Sequence, residues 1–322
     1  MHSRGADLAH IWNRCHNCGA APIIGLCFTC QTCPAGADND LCEACYRLLE
    51  QGRIVHPSPE AREARAGRHA FRAIEGAERA HVLPWLAVPW STAPALAIPD
   101  RFVVRPEFRS GRESFFGSYG FIVAKNGAEL LNPLMLTALH VLDELAKFRG
   151  IDCSEGNLAY TGHELTRQVT SVQLYDPFAS NWMLAELGPA GDMLPLSGAR
   201  IGGVEPYSQR DIAAFNVGAP ASFHPLPLAS APPTVGELIW LAVNPGRGVR
   251  ERAIQAIVVE ITATTFVFRF SAEAKIPPYT SGAPLLNRAG EVVGVNIGGG
   301  SLDGHKIGHG SHVTSVRHHL GW

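Results

Sequence analysis

The chain has 322 residues with 27 Lys+Arg against 29 Asp+Glu, a formal charge of −2 that gives no electrostatic footprint for nucleic acid or an anionic membrane. Hydrophobic residues make up 46% and charged residues 17%, which is ample material for a core, while 33 Gly and 23 Pro indicate many turns in place of long helices. A mainly β body with a polypeptide partner is therefore expected.

The opening stretch MHSRGADLAHIW lacks the apolar core of a signal peptide, and no uninterrupted apolar run approaches the ~20 residues of a membrane span. A soluble, cytoplasmic protein is expected. Seven of the eight cysteines fall between Cys15 and Cys45, with Cys153 alone in the body. They include the pairs Cys15/Cys18, Cys30/Cys33 and Cys42/Cys45, followed by His56 and His69. A Cys-x-x-Cys knuckle aims two thiolates at one tetrahedral ion, so these eight side chains form a ligand set for two structural zinc ions rather than a disulfide scaffold.

The arrangement resembles the ZZ-type zinc finger, matching at His10, Cys15-x-x-Cys18, Gly19, Pro22-Ile23-Ile24-Gly25, Cys30-x-x-Cys33 and Asp40-Leu41-Cys42-x-x-Cys45-Tyr46. The resemblance implies interleaved ligation, with one zinc on Cys15, Cys18, Cys42 and Cys45 and the other on Cys30, Cys33, His56 and His69. It also implies that acidic residues ahead of the Asp-Leu-Cys element, Asp38 and Asp40, hold the amino end of a peptide. Two positions depart from the family pattern. His16 stands where some peptide-reading members carry an acid. Cys27 replaces the usual arginine and is read as a buried or free thiol, the alternative being that it displaces a histidine ligand. The interval between His56 and His69 has the composition of a short helix.

Residues 72–100 contain four prolines and two tryptophans and are too apolar for a free linker, so they are expected to pack on a neighbouring unit and couple the finger to the body. Strands begin at Arg101. Leu136-Thr137-Ala138-Leu139-His140-Val141 follows the apolar strand YGFIVA, and Arg210-Asp211-Ile212-Ala213-Ala214-Phe215 places an acid at the edge of an apolar stretch. Further on, Tyr279-Thr280-Ser281-Gly282-Ala283-Pro284 forms a tight turn ahead of the β-branched run VVGVNI. A serine hydroxyl is a weak nucleophile that needs a base, and His140, Asp211 and Ser281 occur in that order, each roughly 70 residues from the next.

These segments resemble the trypsin-like serine peptidases of chymotrypsin fold. Subtilisins and α/β-hydrolases carry the same three groups in other orders. The resemblance implies two six-stranded antiparallel β-barrels preceded by the zinc module, with residues 1–71 as finger, 72–100 as connector and 101–322 as peptidase domain. It implies His140 as base, Asp211 as its orienting acid, Ser281 as nucleophile, and the N–H groups of Tyr279 and Ser281 as oxyanion donors. Lys275, six residues before the serine, matches the base of the primary specificity pocket and implies a preference for an acidic side chain.

Tyr279 occupies a position where the family usually has glycine. Its N–H can face the oxyanion only at a backbone cost, which points to an enzyme that is latent until substrate or a finger-bound partner engages it. The reading is an intracellular serine endopeptidase with a recognition finger. The alternative is a peptide-binding finger fused to a peptidase-like fold that no longer cuts. The five histidines from His305 to His319 are expected to be solvated, and the end of this stretch, TSVRHHLGW, to form a final surface helix.

Overall fold

The computed structural model describes residues 15–20, 23–32, 40–56, 69–75, 84–124, 133–142, 145, 160–181, 183, 185–201, 210–217, 223–244 and 252–322. Cys33, Asp38 and the stretch 57–68, where a short helix is expected, lie outside these residues.

The N-terminal unit is a three-stranded antiparallel sheet of β1 (Leu26–Cys30), β2 (Asp40–Cys42) and β3 (Phe71–Glu75), in the order β2-β1-β3, with a helix over Glu43–Glu50. Its third strand runs on to Glu75, so the sheet extends past residue 71. The core is small: Ile23, Cys27 and Leu41 are fully buried, and Phe28 stacks on Tyr46 with ring centroids 4.0 Å apart. So few buried side chains supply little folding free energy, which is the situation in which metal ligation stabilises a module.

The body is mainly β and consists of two closed six-stranded antiparallel barrels, as the resemblance implies. The first uses β4 (Val103–Ser110), β6 (Gly120–Val123), β7 (Leu134–Thr137), β9 (Ser171–Tyr175), β10 (Glu186–Met193) and β12 (Ala213–Val217). They run in the order β4-β6-β7-β12-β10-β9, and β9 pairs back onto β4 to close the ring. β5 (Glu113–Phe116) extends β4 as a hairpin, and a small two-stranded sheet pairs β8 (Tyr160–Thr161) with β11 (Arg200–Ile201).

The second barrel closes as β13 (Leu238–Ala242), β14 (Ala253–Ile261), β15 (Thr265–Phe270), β18 (His305–His312), β17 (Val292–Leu302) and β16 (Pro284–Leu286). One apolar cluster runs through both barrels, with Phe108, Phe121 and Phe215 on one side and Phe266, Phe268 and Leu285 on the other, all fully buried. None of the helices among the described residues is long and apolar enough to cross a membrane.

Strand β14 is apolar on both faces, because Ala256 and Val258 alternate with Ile257 and Val259 and all four are buried. The connector covers the outer face. Trp85, 1% exposed, packs with Ile257, Val259, Val267, Leu302 and Ile307, and its indole N–H donates to the Glu260 carboxylate. The Arg269 guanidinium donates to the carbonyls of Leu86, at 2.8 Å, and Val88. Ile24 of the N-terminal unit joins the same cluster, so that unit, the segment around Trp85 and the second barrel share one contact surface.

The C-terminal histidines depart from the expectation of solvent exposure. His309 and His312 are each 3% exposed. The reason is that β18 pairs on both edges and its burial is continuous from Ile307 to His312, so even its outward positions are covered. His312 caps the final helix Val313–Leu320 by accepting the Thr314 N–H at 3.3 Å.

Burial pushes the His309 imidazole down to a pKa of about 3, and burial also lowers His312. The folded state thus binds fewer protons than the unfolded chain, whose histidines titrate near 6.5, so stability is fully present above pH 6.5 and is lost as pH falls towards 3. His309 alone is expected to contribute a slope approaching ~1.4 kcal/mol per pH unit in that window. Urea unfolding at pH 7, 6 and 5 checks this, with a shallower slope expected in His309→Gln.

Candidate active site

The antiparallel pairing of β7 with β12 brings the first two candidate residues together. Ala213 sits opposite Thr137 and Ala214 opposite Leu136, so the chain leaving β7 passes the chain entering β12, and His140 comes beside Asp211. His140 lies in a 3-10 turn over Leu139–Leu142, anchored by the buried Leu139 and Leu142. Asp211 is 1% exposed, and both of its oxygens are engaged. Oδ2 lies 2.6 Å from His140 Nδ1, and Oδ1 accepts the His140 backbone N–H at 2.9 Å. A carboxylate on Nδ1 fixes that nitrogen as the protonated one and leaves Nε2 able to accept a proton, a tautomer inferred from the partner.

Ser281 comes from the second barrel, on the turn that leads into β16. Asn296, 2% exposed, clamps this turn: its side-chain amide donates to the Thr280 carbonyl at 2.9 Å and to the Thr280 hydroxyl at 3.0 Å, and its carbonyl accepts the Gly282 N–H at 2.7 Å. The Tyr119 N–H of the first barrel donates to the Ser281 carbonyl at 3.0 Å. Gly282 has φ of +79°, and a Cβ there would sit 2.1 Å from the Tyr119 carbonyl oxygen and 2.3 Å from the Thr137 hydroxyl, so only glycine fits. That carbonyl is itself held by the Thr137 hydroxyl at 2.6 Å.

Ser281 and His140 line one open cleft of about 900 Å³ between the barrels. Tyr279 has φ of +60° and is 75% exposed; its backbone adopts the left-handed region in which glycine is at ease. Among the described residues, the N–H groups of Tyr279 and Ser281 have no protein acceptor.

Lys275, matched by sequence to the base of the specificity pocket, is exposed and does not line the cleft, whereas Lys306 does. Gly19, next to Cys18 in the finger, also lines it. The sequence reading missed Asn296, Tyr119, Thr137 and Lys306. A single amide inside the apolar run VVGVNI was the one available signal, since a polar side chain placed in a barrel strand must find partners.

In the finger, the sulfurs of Cys15, Cys18, Cys42 and Cys45 lie within 4.8 Å of one another, and a second group joins Cys30, His56 and His69 at the same limit. Burial works to raise the Cys15 pKa, but the backbone N–H groups of Cys18, Cys42 and Asn17 on its sulfur outweigh it and bring the value down to about 7. Burial, followed by the charge on Cys15, pushes Cys42 well up. Four clustered thiols can all ionise only around a cation, and a tetrahedral set of soft donors fits zinc.

Cys27 is fully buried beside Ile23 and Leu41 and belongs to neither group. The Asp40 carboxylate accepts the Thr29 hydroxyl at 2.6 Å, and its backbone N–H donates to His16 Nδ1 at 3.1 Å.

The chain is similar to several solved protease structures. The Rv3671c protease of M. tuberculosis in its active form matches at 17% identity and a TM-score of 0.41, covering 72% of this chain and 92% of that one. Its inactive form matches at 17% identity and 0.39, covering 69% and 88%. The serine endoprotease of Yersinia pestis matches at 16% identity and 0.40, covering 71% and 65%. No curated protein sequence matches the chain. The family model described as "Trypsin-like peptidase domain" matches residues 117–295, more than half of the sequence, and the chain accordingly belongs to the trypsin-like peptidase family.

Proposed function

We propose that the chain is a serine endopeptidase in which Ser281 attacks the scissile carbonyl and His140 takes the hydroxyl proton on Nε2 and returns it to the leaving amine. Asp211 holds the imidazole and stabilises the cation that forms. The N–H groups of Tyr279 and Ser281 receive the oxyanion. The observation that carries this reading is the buried Asp211 carboxylate, both oxygens of which orient His140 on the cleft that Ser281 also lines.

We further propose that the enzyme is latent and is completed by substrate or by a partner on the finger, with Tyr279, held at a strained positive φ, as the residue whose backbone resets. Catalytic hydrogen bonds commonly tighten only in the substrate complex. The route from finger to site is the connector, through Trp85 and Ile24 against the second barrel.

Residues 1–71 serve as the recognition finger, 72–100 as connector and 101–322 as peptidase domain. The finger takes two structural zinc ions, one on Cys15, Cys18, Cys42 and Cys45, the other on Cys30, Cys33, His56 and His69. Zinc supplies cross-links that hold the small module together. Asp40, fixed by Thr29 and His16, together with Asp38, receives the amino end of a peptide. A thiol-rich metal module is suited to a reducing compartment, in line with a cytoplasmic location.

Ser281→Ala is expected to abolish both hydrolysis of a protein substrate and labelling by a serine-directed phosphonate. Asp211→Asn is expected to lower kcat about 10⁴-fold by imposing the wrong tautomer. Absence of labelling in the unaltered protein under every condition would make the chain a peptide-binding protein instead.

Tyr279→Gly removes a left-handed strain of about 1–2 kcal/mol. It is expected to raise the labelling rate of the protein alone by up to about tenfold; an unchanged rate would mean that the hole is already formed at rest.

Metal analysis of the native protein is expected to give two zinc ions per chain. Cys42→Ser is expected to remove one of them, and chelation is expected to unfold the finger before the barrels.

A further inference from the structure

Among the described residues, the cleft beside Ser281 is lined by no Asp or Glu, and apart from His140 its one side chain of fixed charge is Lys306. Lys306 lies on β18 opposite Ser301 of β17, in the hairpin whose glycines Gly298 to Gly300 form one side of the cleft. Its ammonium donates to the Ala274 carbonyl, in the loop leading to the nucleophile turn, and it makes no ion pair among the described residues. An ammonium has three donors, so this contact aims the charge while leaving donor capacity for a second acceptor. Leu241, Ile276 and Phe270 add apolar walls, which weaken screening of that charge by water.

Among the described residues no acid compensates this cation, which one carbonyl holds in a half-apolar cleft, so a substrate can supply the matching charge. We propose that Lys306 selects a substrate carboxylate, and that its main source is an Asp or Glu side chain on the residue whose carbonyl Ser281 attacks. That side chain is the one carried into the cleft next to the nucleophile. The charge preference attached by sequence to Lys275 thus passes to Lys306. The inference rests on the peptidase reading and names the substrate class for that site. A free C-terminal carboxylate just beyond the cut has the same chemistry and is the other source to be separated.

The test uses the full-length zinc-loaded protein. Two small phosphonates, one with an acidic and one with a neutral group at the position next to phosphorus, are compared for Ser281 labelling, alongside peptide pairs that differ only by Glu or Gln before the cut, each with free or amidated C-terminus. An advantage of at least tenfold in kcat/KM for Glu over Gln is expected, independent of amidation and reduced by salt. In Lys306→Met the advantage is expected to fall to near one, and in Lys306→Glu to reverse towards Lys or Arg.

Labelling by the neutral phosphonate with equal Glu and Gln rates would overturn the role of Lys306 while leaving the peptidase reading intact. An advantage that survives in Lys306→Met would do the same. Loss of the preference on amidation would move the carboxylate to the substrate terminus and overturn the side-chain assignment. No labelling by either phosphonate would overturn the peptidase reading and the inference together. The Glu/Gln comparison in the unaltered protein stands even if a variant fails to fold.

Discussion

The contact between the Ser281–Gly282 turn and the Tyr119 carbonyl is the constraint on which the candidate site depends. Ser281 belongs to one barrel and His140 with Asp211 to the other, so their meeting depends on how closely the barrels approach. At Gly282 that approach leaves no room for a Cβ: the carbonyl of Tyr119 and the hydroxyl of Thr137 occupy the place one would take. The Tyr119 N–H to Ser281 carbonyl bond and the Asn296 clamp then fix the turn from both sides. Buried backbone groups that are paired across a domain boundary hold it more specifically than apolar contact, because a slip would leave them unsatisfied.

Electrostatics at the site are set by burial of the acid. Asp211 is removed from water but has both oxygens in hydrogen bonds to His140, which offsets the desolvation penalty of its charge. Among the described residues that line the cleft, Lys306 is a cation and none is an acid, although the whole chain carries −2. Net charge is thus a poor guide to the field inside one cleft.

The finger and the body are joined through the outer surface of the second barrel. Trp85 and Ile24 pack on Ile307 and Leu302, which belong to the same hairpin that lines the cleft through Gly298 to Gly300 and Lys306. With Gly19 at the cleft itself, the N-terminal unit touches the cleft at one point and the support of its wall at another.

The sequence by itself determined the family, the mainly β architecture and the clustering of Cys15, Cys18, Cys42 and Cys45, because each leaves a local mark: short β-branched runs, Cys-x-x-Cys spacing and three motifs in a diagnostic order. It also marked His140, Asp211 and Ser281, the backbone peculiarity of Tyr279, and the apolar connector that needed a surface to cover. Only the tertiary structure decided what depends on register and on closure of the barrels. Gly282 became part of the frame of the turn through Tyr119 and Thr137, more than 100 residues away, and Asn296 through the pairing of its strand beside the turn. His309 and His312 were enclosed because their strand is covered on both faces. Lys306 lines the cleft and Lys275 is exposed, a placement set by the pairing of the β17–β18 hairpin, which cannot be read from six residues of spacing.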